Sequence, residues 1–146
     1  MKETPQTLSR APIEYQSVPR SRPNCGVVAL AHFTGQPYDR VEKFLRRGKP
    51  STWKGSTYTR DYYAFFARIG LPVVRRDDGA GELLRDWVAK YTQPGTRYMV
   101  ITTGHAQVVY DGAVIDQHAG LPVPVEEFHW RRKRVKRWFI IDAEDE

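Results

Sequence analysis

The chain of 146 residues holds one cysteine, Cys25, at the front of the almost wholly apolar run P-N-C-G-V-V-A-L-A-H-F-T-G. A thiol attacks a carbonyl only as its thiolate. A helix start or a neighbouring imidazolium brings its pKa from about 8.5 down to roughly 3.5–7.5. Cysteine is also among the most buried residue types, so a small core hydrophobe is the ordinary reading of such a position. A base decides between the two. The histidines are His32, His105, His118 and His129. His105 opens the segment G-H-A-Q-V-V-Y-D-G-A-V-I-D, in which Asp111-Gly112 is a strong two-residue hairpin signal. A turn centred there pairs Tyr110 with Ala113, which levels position 105 with 118 and 107 with 116. His105, Asp116 and His118 then share parity across the hairpin, hence a face. A nucleophile, a base and an orienting acid can carry out acyl transfer. Asp116, one diagonal step from His105, suits the acid; His118 is the alternative third member or a second base.

These residues need elements to hold them. Residues 25–34 are predicted as a buried helix with Asn24 as N-cap and Gly35 as its stop, which places Cys25 in the first turn. Gly26 would leave room for a substrate to approach the sulfur. His32, inside the helix, and His129, near the basic tail, read as structural. Apolar spacing predicts further helices over 38–47, 58–69 and 81–91, the third with Tyr58, Tyr62, Phe65, Phe66 and Ile69 as one stripe. After Pro94-Gly95 the period changes to that of strands, at 96–103, 106–110 and 113–116, with a last strand ending at Ile141. Helices first and an antiparallel sheet afterwards make an α+β fold.

The composition, 40% apolar and 12% aromatic, supports a real core. Residues 1–22, with Pro5, Pro12 and Pro19, read as an extended, partly flexible arm; 23–141 as a single domain; and 142–146 as an acidic tail. One cysteine excludes an internal disulfide and a cysteine-rich zinc site, and no spaced ligand cluster or phosphate loop points to a metal or cofactor. The start lacks a signal-peptide apolar stretch and no run could span a bilayer, so a cytoplasmic protein is expected, in the host cytoplasm if viral, with no membrane partner. The formal charge is +6, and R-R-K-R-V-K-R carries six cations in seven positions: Arg131, Arg132, Lys133, Arg134, Lys136 and Arg137. Such a run is ordinarily a solvated strand or loop. Flanked by Trp130 and Trp138, it is also a candidate contact for nucleic acid or an acidic partner.

N-C-G-V-V-A-L-A at a helix start, followed late in the chain by G-H-A-Q-V-V-Y-D-G-A-V-I-D, resembles the papain-like cysteine peptidase fold, in its compact bacteriocin-processing form and in related small phage and bacterial peptidases. The resemblance covers 24–34 and about 96–141 and leaves 38–91 as a variable insert. It implies Cys25 as nucleophile, His105 as general base and acid and Asp116 as the orienting residue, acting on a peptide or protein substrate. That family usually carries a glutamine about six residues before the cysteine to complete the oxyanion hole. Here that position is Pro19, which has no N–H to donate, and Gln16, nine residues upstream, is the candidate. The expected function is a thiol-dependent hydrolase working through a Cys-His-Asp triad and a thioester. The alternative is a non-catalytic protein of the same fold that binds nucleic acid or an acidic partner through 131–137. The sequence leaves the oligomeric state open.

Overall fold

The computed structural model describes residues 12–16, 24–53, 55, 57–117 and 121–142. Among them the chain runs α1 (Cys25–Thr34), α2 (Tyr38–Arg46), α3 (Thr59–Ile69), β1 (Val73–Arg76), α4 (Leu84–Tyr91), β2 (Arg97–Thr102), β3 (His105–Tyr110), β4 (Ala113–Ile115), β5 (Val123–Pro124), a 3₁₀ turn (Val125–Glu127) and β6 (Val135–Ile141). The strands form one antiparallel sheet in the order β1-β6-β2-β3-β4-β5. The fold is α+β. The helices do not all precede the sheet, because β1 falls between α3 and α4 and pairs with β6, from Val73 opposite Ile141 to Arg76 opposite Trp138. No helix among the described residues is long and apolar enough to cross a membrane.

Both faces of the sheet are covered, which explains why its central strands read as nearly continuous apolar runs rather than clean alternations. Met99, Ala106, Val108, Ile115, Phe139 and Ile141 point to one side and pack with α1, α2 and α3. Tyr98, Val100, Val109, Val114 and Trp138 point to the other and pack with Leu84, Trp87 and Val88 of α4 and with Val125 and Phe128. Helix α1 lies inside the first layer, and from Gly26 to Thr34 every residue is buried. That is why its apolar residues go all round instead of keeping to a stripe. Gly35 ends it in the left-handed conformation, at φ 72°.

The Asn24 side chain does not cap α1; its Nδ2 donates to the Tyr38 hydroxyl at 2.5 Å instead, tying the start of α1 to the start of α2. In α3 the cap is Tyr58, whose backbone N–H donates to Asp61 Oδ2 at 2.8 Å. Tyr58 is accordingly outside the core stripe and exposed, lying under the cations of Lys49 and Arg60. Helix α4 begins at Leu84 rather than at 81 because Leu83 bridges to Arg134 and the Leu84 N–H donates to Lys133 O at 2.9 Å. The preceding backbone belongs to the sheet's border, not to a helix.

The hairpin of β3 and β4 has the register expected from its turn. Tyr110 pairs with Ala113, Val109 with Val114 and Val108 with Ile115. Asp111 and Gly112 both have positive φ, 51° and 76°, as a two-residue turn with both central residues left-handed requires.

Candidate active site

The hairpin brings His105 and Asp116 together. His105 Nε2 lies 3.0 Å from Asp116 Oδ2, and both side chains are buried. An ionised carboxylate can only accept, so Nε2 carries the proton of this bond and the basic position of the neutral ring is Nδ1. The His105 ring stands edge-on to Trp130, with centroids 4.6 Å apart, and stacks with Phe128 at 6.5 Å. The imidazole is thus held by an acid on one side and by aromatic walls on the others. His118 lies outside the described residues.

Cys25 is half-buried at the tip of α1 and lines a cleft of about 600 Å³ together with His105. They arrive there from opposite sides of the sheet. Helix α1 packs on the face that carries Ala106 and Val108, whereas His105 has the parity of Val109. As the first residue of β3, His105 can share a cleft with the helix tip at the sheet's end. The backbone N–H of Ala106 lies against the Cys25 thiol. Burial pushes that thiol above its ordinary value, the N–H groups of Ala106, Gly26 and Cys25 itself pull the other way, and the Asp116 carboxylate adds to the rise. A helix start was expected to lower it. Here desolvation outweighs the first-turn N–H groups, so activation requires proton transfer to a base.

Gln16 does not stand beside the cysteine. Its backbone N–H donates to His32 Nε2 at 3.0 Å, its Nε2 donates to Gln36 O at 2.8 Å, and its Oε1 accepts from the Tyr38 N–H at 2.8 Å. Gln36 and Tyr38 lie beyond the C-terminal end of α1, and the ten residues of the helix set its ends about 15 Å apart. Both functions of the Gln16 amide are spent there, which corrects its assignment as an oxyanion donor; Pro19 is outside the described residues. His32 is structural. Its Nδ1 donates to Val28 O at 2.9 Å while Nε2 accepts from Gln16, and burial holds its pKa below the usual imidazole value.

The cleft is also lined by residues that no motif or spacing singles out as a site. Thr57 and Tyr62 join hydroxyls at 2.7 Å directly over Gly26. The glycine is needed for this approach, because a Cβ there would overlap Thr57 Oγ1 and come within 2.6 Å of the Tyr62 hydroxyl. The space read as room for a substrate is therefore filled by the chain's own hydroxyl pair. Burial raises the Tyr62 phenol to about 12; its bond to Thr57 opposes this, and the nearby Cys25 charge adds to it. Tyr62 was legible as a core residue, and its ring is one. Nothing in the helical spacing reveals that its hydroxyl continues into the cleft.

The cations of the basic run are divided among different contacts. Arg131, Lys133 and Arg134 donate to the carbonyls of Phe128, Thr103 and Gly81, at 3.1, 2.8 and 2.7 Å. Arg132 is exposed in the turn that leads to β6. Trp138 is buried, with its indole N–H on Asp78 O at 2.8 Å, so it is a core ring and not a platform for bases. Trp130 lies under Lys133 and against His105. Only Lys136 and Arg137 turn into the cleft of Cys25. No protein family, curated protein or solved structure matches the chain.

Proposed function

We propose that the protein is a thiol-dependent hydrolase of peptide or amide bonds with a papain-like arrangement of Cys25, His105 and Asp116. The observation that carries this reading is the buried His105–Asp116 pair, 3.0 Å apart, whose histidine lines the cleft that holds the only cysteine. A buried, oriented imidazole that lines the same cleft as a half-buried thiol supplies the two groups that nucleophilic catalysis needs.

In this mechanism His105 Nδ1 takes the proton of Cys25, and the thiolate attacks the substrate carbonyl carbon. The tetrahedral oxyanion collapses, the C–N bond breaks, and the imidazolium gives its proton to the leaving amine. Water, deprotonated by His105, then attacks the thioester and releases the acid. Asp116 holds the ring in the tautomer that leaves Nδ1 basic and stabilises the imidazolium. With Gln16 fastened elsewhere, the donors to the oxyanion are assigned to the Cys25 backbone N–H and the Tyr62 hydroxyl, whose partner Thr57 orients it.

An activated ester tests the reading without a known substrate. With p-nitrophenyl acetate we expect a burst of about one nitrophenolate per chain, as an acyl-enzyme mechanism requires, and an acetyl adduct on Cys25 by mass spectrometry. Both should be lost in Cys25→Ala and reduced at least tenfold in rate in His105→Ala. A burst of undiminished rate in His105→Ala would overturn the reading.

A further inference from the structure

Strand β6 contains an irregularity at the cleft. Ile101 pairs with Arg137, but Thr102 pairs with Val135, so Lys136 is an extra residue in the ladder. On a regular strand, adjacent side chains point to opposite faces. The bulge removes that alternation, and Lys136 and Arg137 line the same cleft, together with Cys25 and His105. Bulges next to functional sites commonly re-aim a side chain in this way.

Neither cation has an acid to neutralise it among the described residues. The carboxylates of the surrounding segments are committed elsewhere: Asp61 to Lys49 at 3.1 Å, Asp77, which follows β1 and comes level with Arg137, to Arg75 at 3.1 Å, and Asp116 to His105. Arg137 makes one long bond, Nη1 to Thr59 Oγ1 at 3.4 Å, and its Nε is buried with no partner among the described residues. A guanidinium has five N–H donors in a fixed fork, and buried donors left without acceptors are unfavourable. A carboxylate supplies what is lacking, two acceptor oxygens and one negative charge.

We infer that the cleft binds a carboxylate of the substrate, an acidic side chain or a free chain end, on Arg137 and Lys136. The group is called a substrate's on the strength of the hydrolase reading above, but the binding site itself needs only the two cations and the cleft. Tyr58, Thr59 and Tyr62 line this cleft with Arg137 and Cys25, so the acidic group and the scissile carbonyl would occupy the same cleft.

Alkylation of Cys25 by two reagents of nearly equal size, iodoacetate and iodoacetamide, isolates this charge. Any change in thiolate population affects both rates alike, so their ratio reports the local field. In low salt the acetate-to-amide ratio should fall roughly fivefold in Arg137→Gln, and further in Arg137→Glu, as expected for loss of one unit charge at cleft distance. Arg137→Lys should preserve it. Lys136→Gln, a change at an exposed position, should lower it by about twofold, and added salt should compress the difference between wild type and variants. N-acetylglutamate should slow wild-type labelling by iodoacetamide more than N-acetylglutamine does. An unchanged ratio in Arg137→Gln, Arg137→Glu and Lys136→Gln would overturn the inference. So would protection by inorganic phosphate without protection by N-acetylglutamate. The hydrolase reading fails on a separate result, namely labelling that is indifferent to His105, which leaves the charge ratio intact.

Discussion

Gly26→Ala is expected to destabilise the protein by about 1–3 kcal/mol, the range of overpacked cores, and to lower Tm by on the order of 5–10 °C. Two effects oppose each other. Alanine is the better helix former by up to about 1 kcal/mol. Against this, the new methyl meets Thr57 Oγ1, the Tyr62 hydroxyl at 2.6 Å and Thr57 Cβ at 3.0 Å. Rotation of the Thr57 hydroxyl does not clear the contact, because its Cβ is also close. The loop before α3 must move, and the Thr57–Tyr62 bond is disrupted as it does. Packing therefore outweighs propensity. Thr57→Ala in the Gly26→Ala background should recover part of the loss by removing the Oγ1. A Gly26→Ala variant as stable as wild type by thermal and denaturant unfolding would show that the hydroxyl pair does not stand where it is described. Because this wall faces the cysteine, the variant should also slow the ester burst.

Asp116→Ala is expected to slow Cys25 alkylation at neutral pH by about 10²-fold, the scale of a misplaced general base. The carboxylate is 1% exposed and bonds a histidine that is 5% exposed. Its removal leaves Nε2 without its acceptor, frees the ring to take the other tautomer and withdraws the charge that stabilises the imidazolium. The carboxylate itself disfavours the Cys25 thiolate, so its loss has a direct effect of opposite sign, but the loss of the oriented base outweighs it and the pH at which labelling begins should rise. Asp116→Asn keeps an acceptor at nearly the same place, so the ring remains oriented while the charge is lost, and the deficit should stay within about tenfold. The contrast between alanine and asparagine separates orientation from charge. A folded Asp116→Ala protein whose labelling profile superimposes on that of wild type would remove Asp116 from the mechanism.

The hairpin was the most legible part of the site. Asp111-Gly112 admits a tight left-handed turn, and once the turn is fixed, strand alternation carries its register from Tyr110–Ala113 outward to His105 and Asp116. Local chemistry also marked both ends of α1, since Gly35 is needed for the left-handed stop. What escaped was set by contacts between distant segments. β1 is four residues long and half polar, and pairing with β6, more than sixty positions away, makes it a strand. Leu83 and Leu84 continue a helical pattern, but the backbone of 133–134 claims them first. Gln16 was sought at the cysteine because of its distance along the chain, whereas its amide fits the gap between Gln36 and Tyr38. Tyr62 shows the limit most clearly: periodicity reports which side of a helix is buried, not where the far end of a long side chain emerges. The Lys136 bulge is likewise invisible in R-R-K-R-V-K-R, because a register shift belongs to two strands and not to one.

The pH dependence of Cys25 alkylation by iodoacetamide, in wild type and in His105→Ala, tests the central claim most directly. Burial and the Asp116 carboxylate both disfavour the thiolate, so a Cys25 deprived of its base should titrate above the ordinary thiol value of about 8.5. Wild type should then label at pH 6–7, where His105 holds the proton as an imidazolium, and exceed His105→Ala there by about 10²-fold. The two profiles should converge only at alkaline pH. A single titration above about 8.5 in both proteins, with no difference at pH 6–7, would mean that Cys25 is a core thiol with no partner in catalysis.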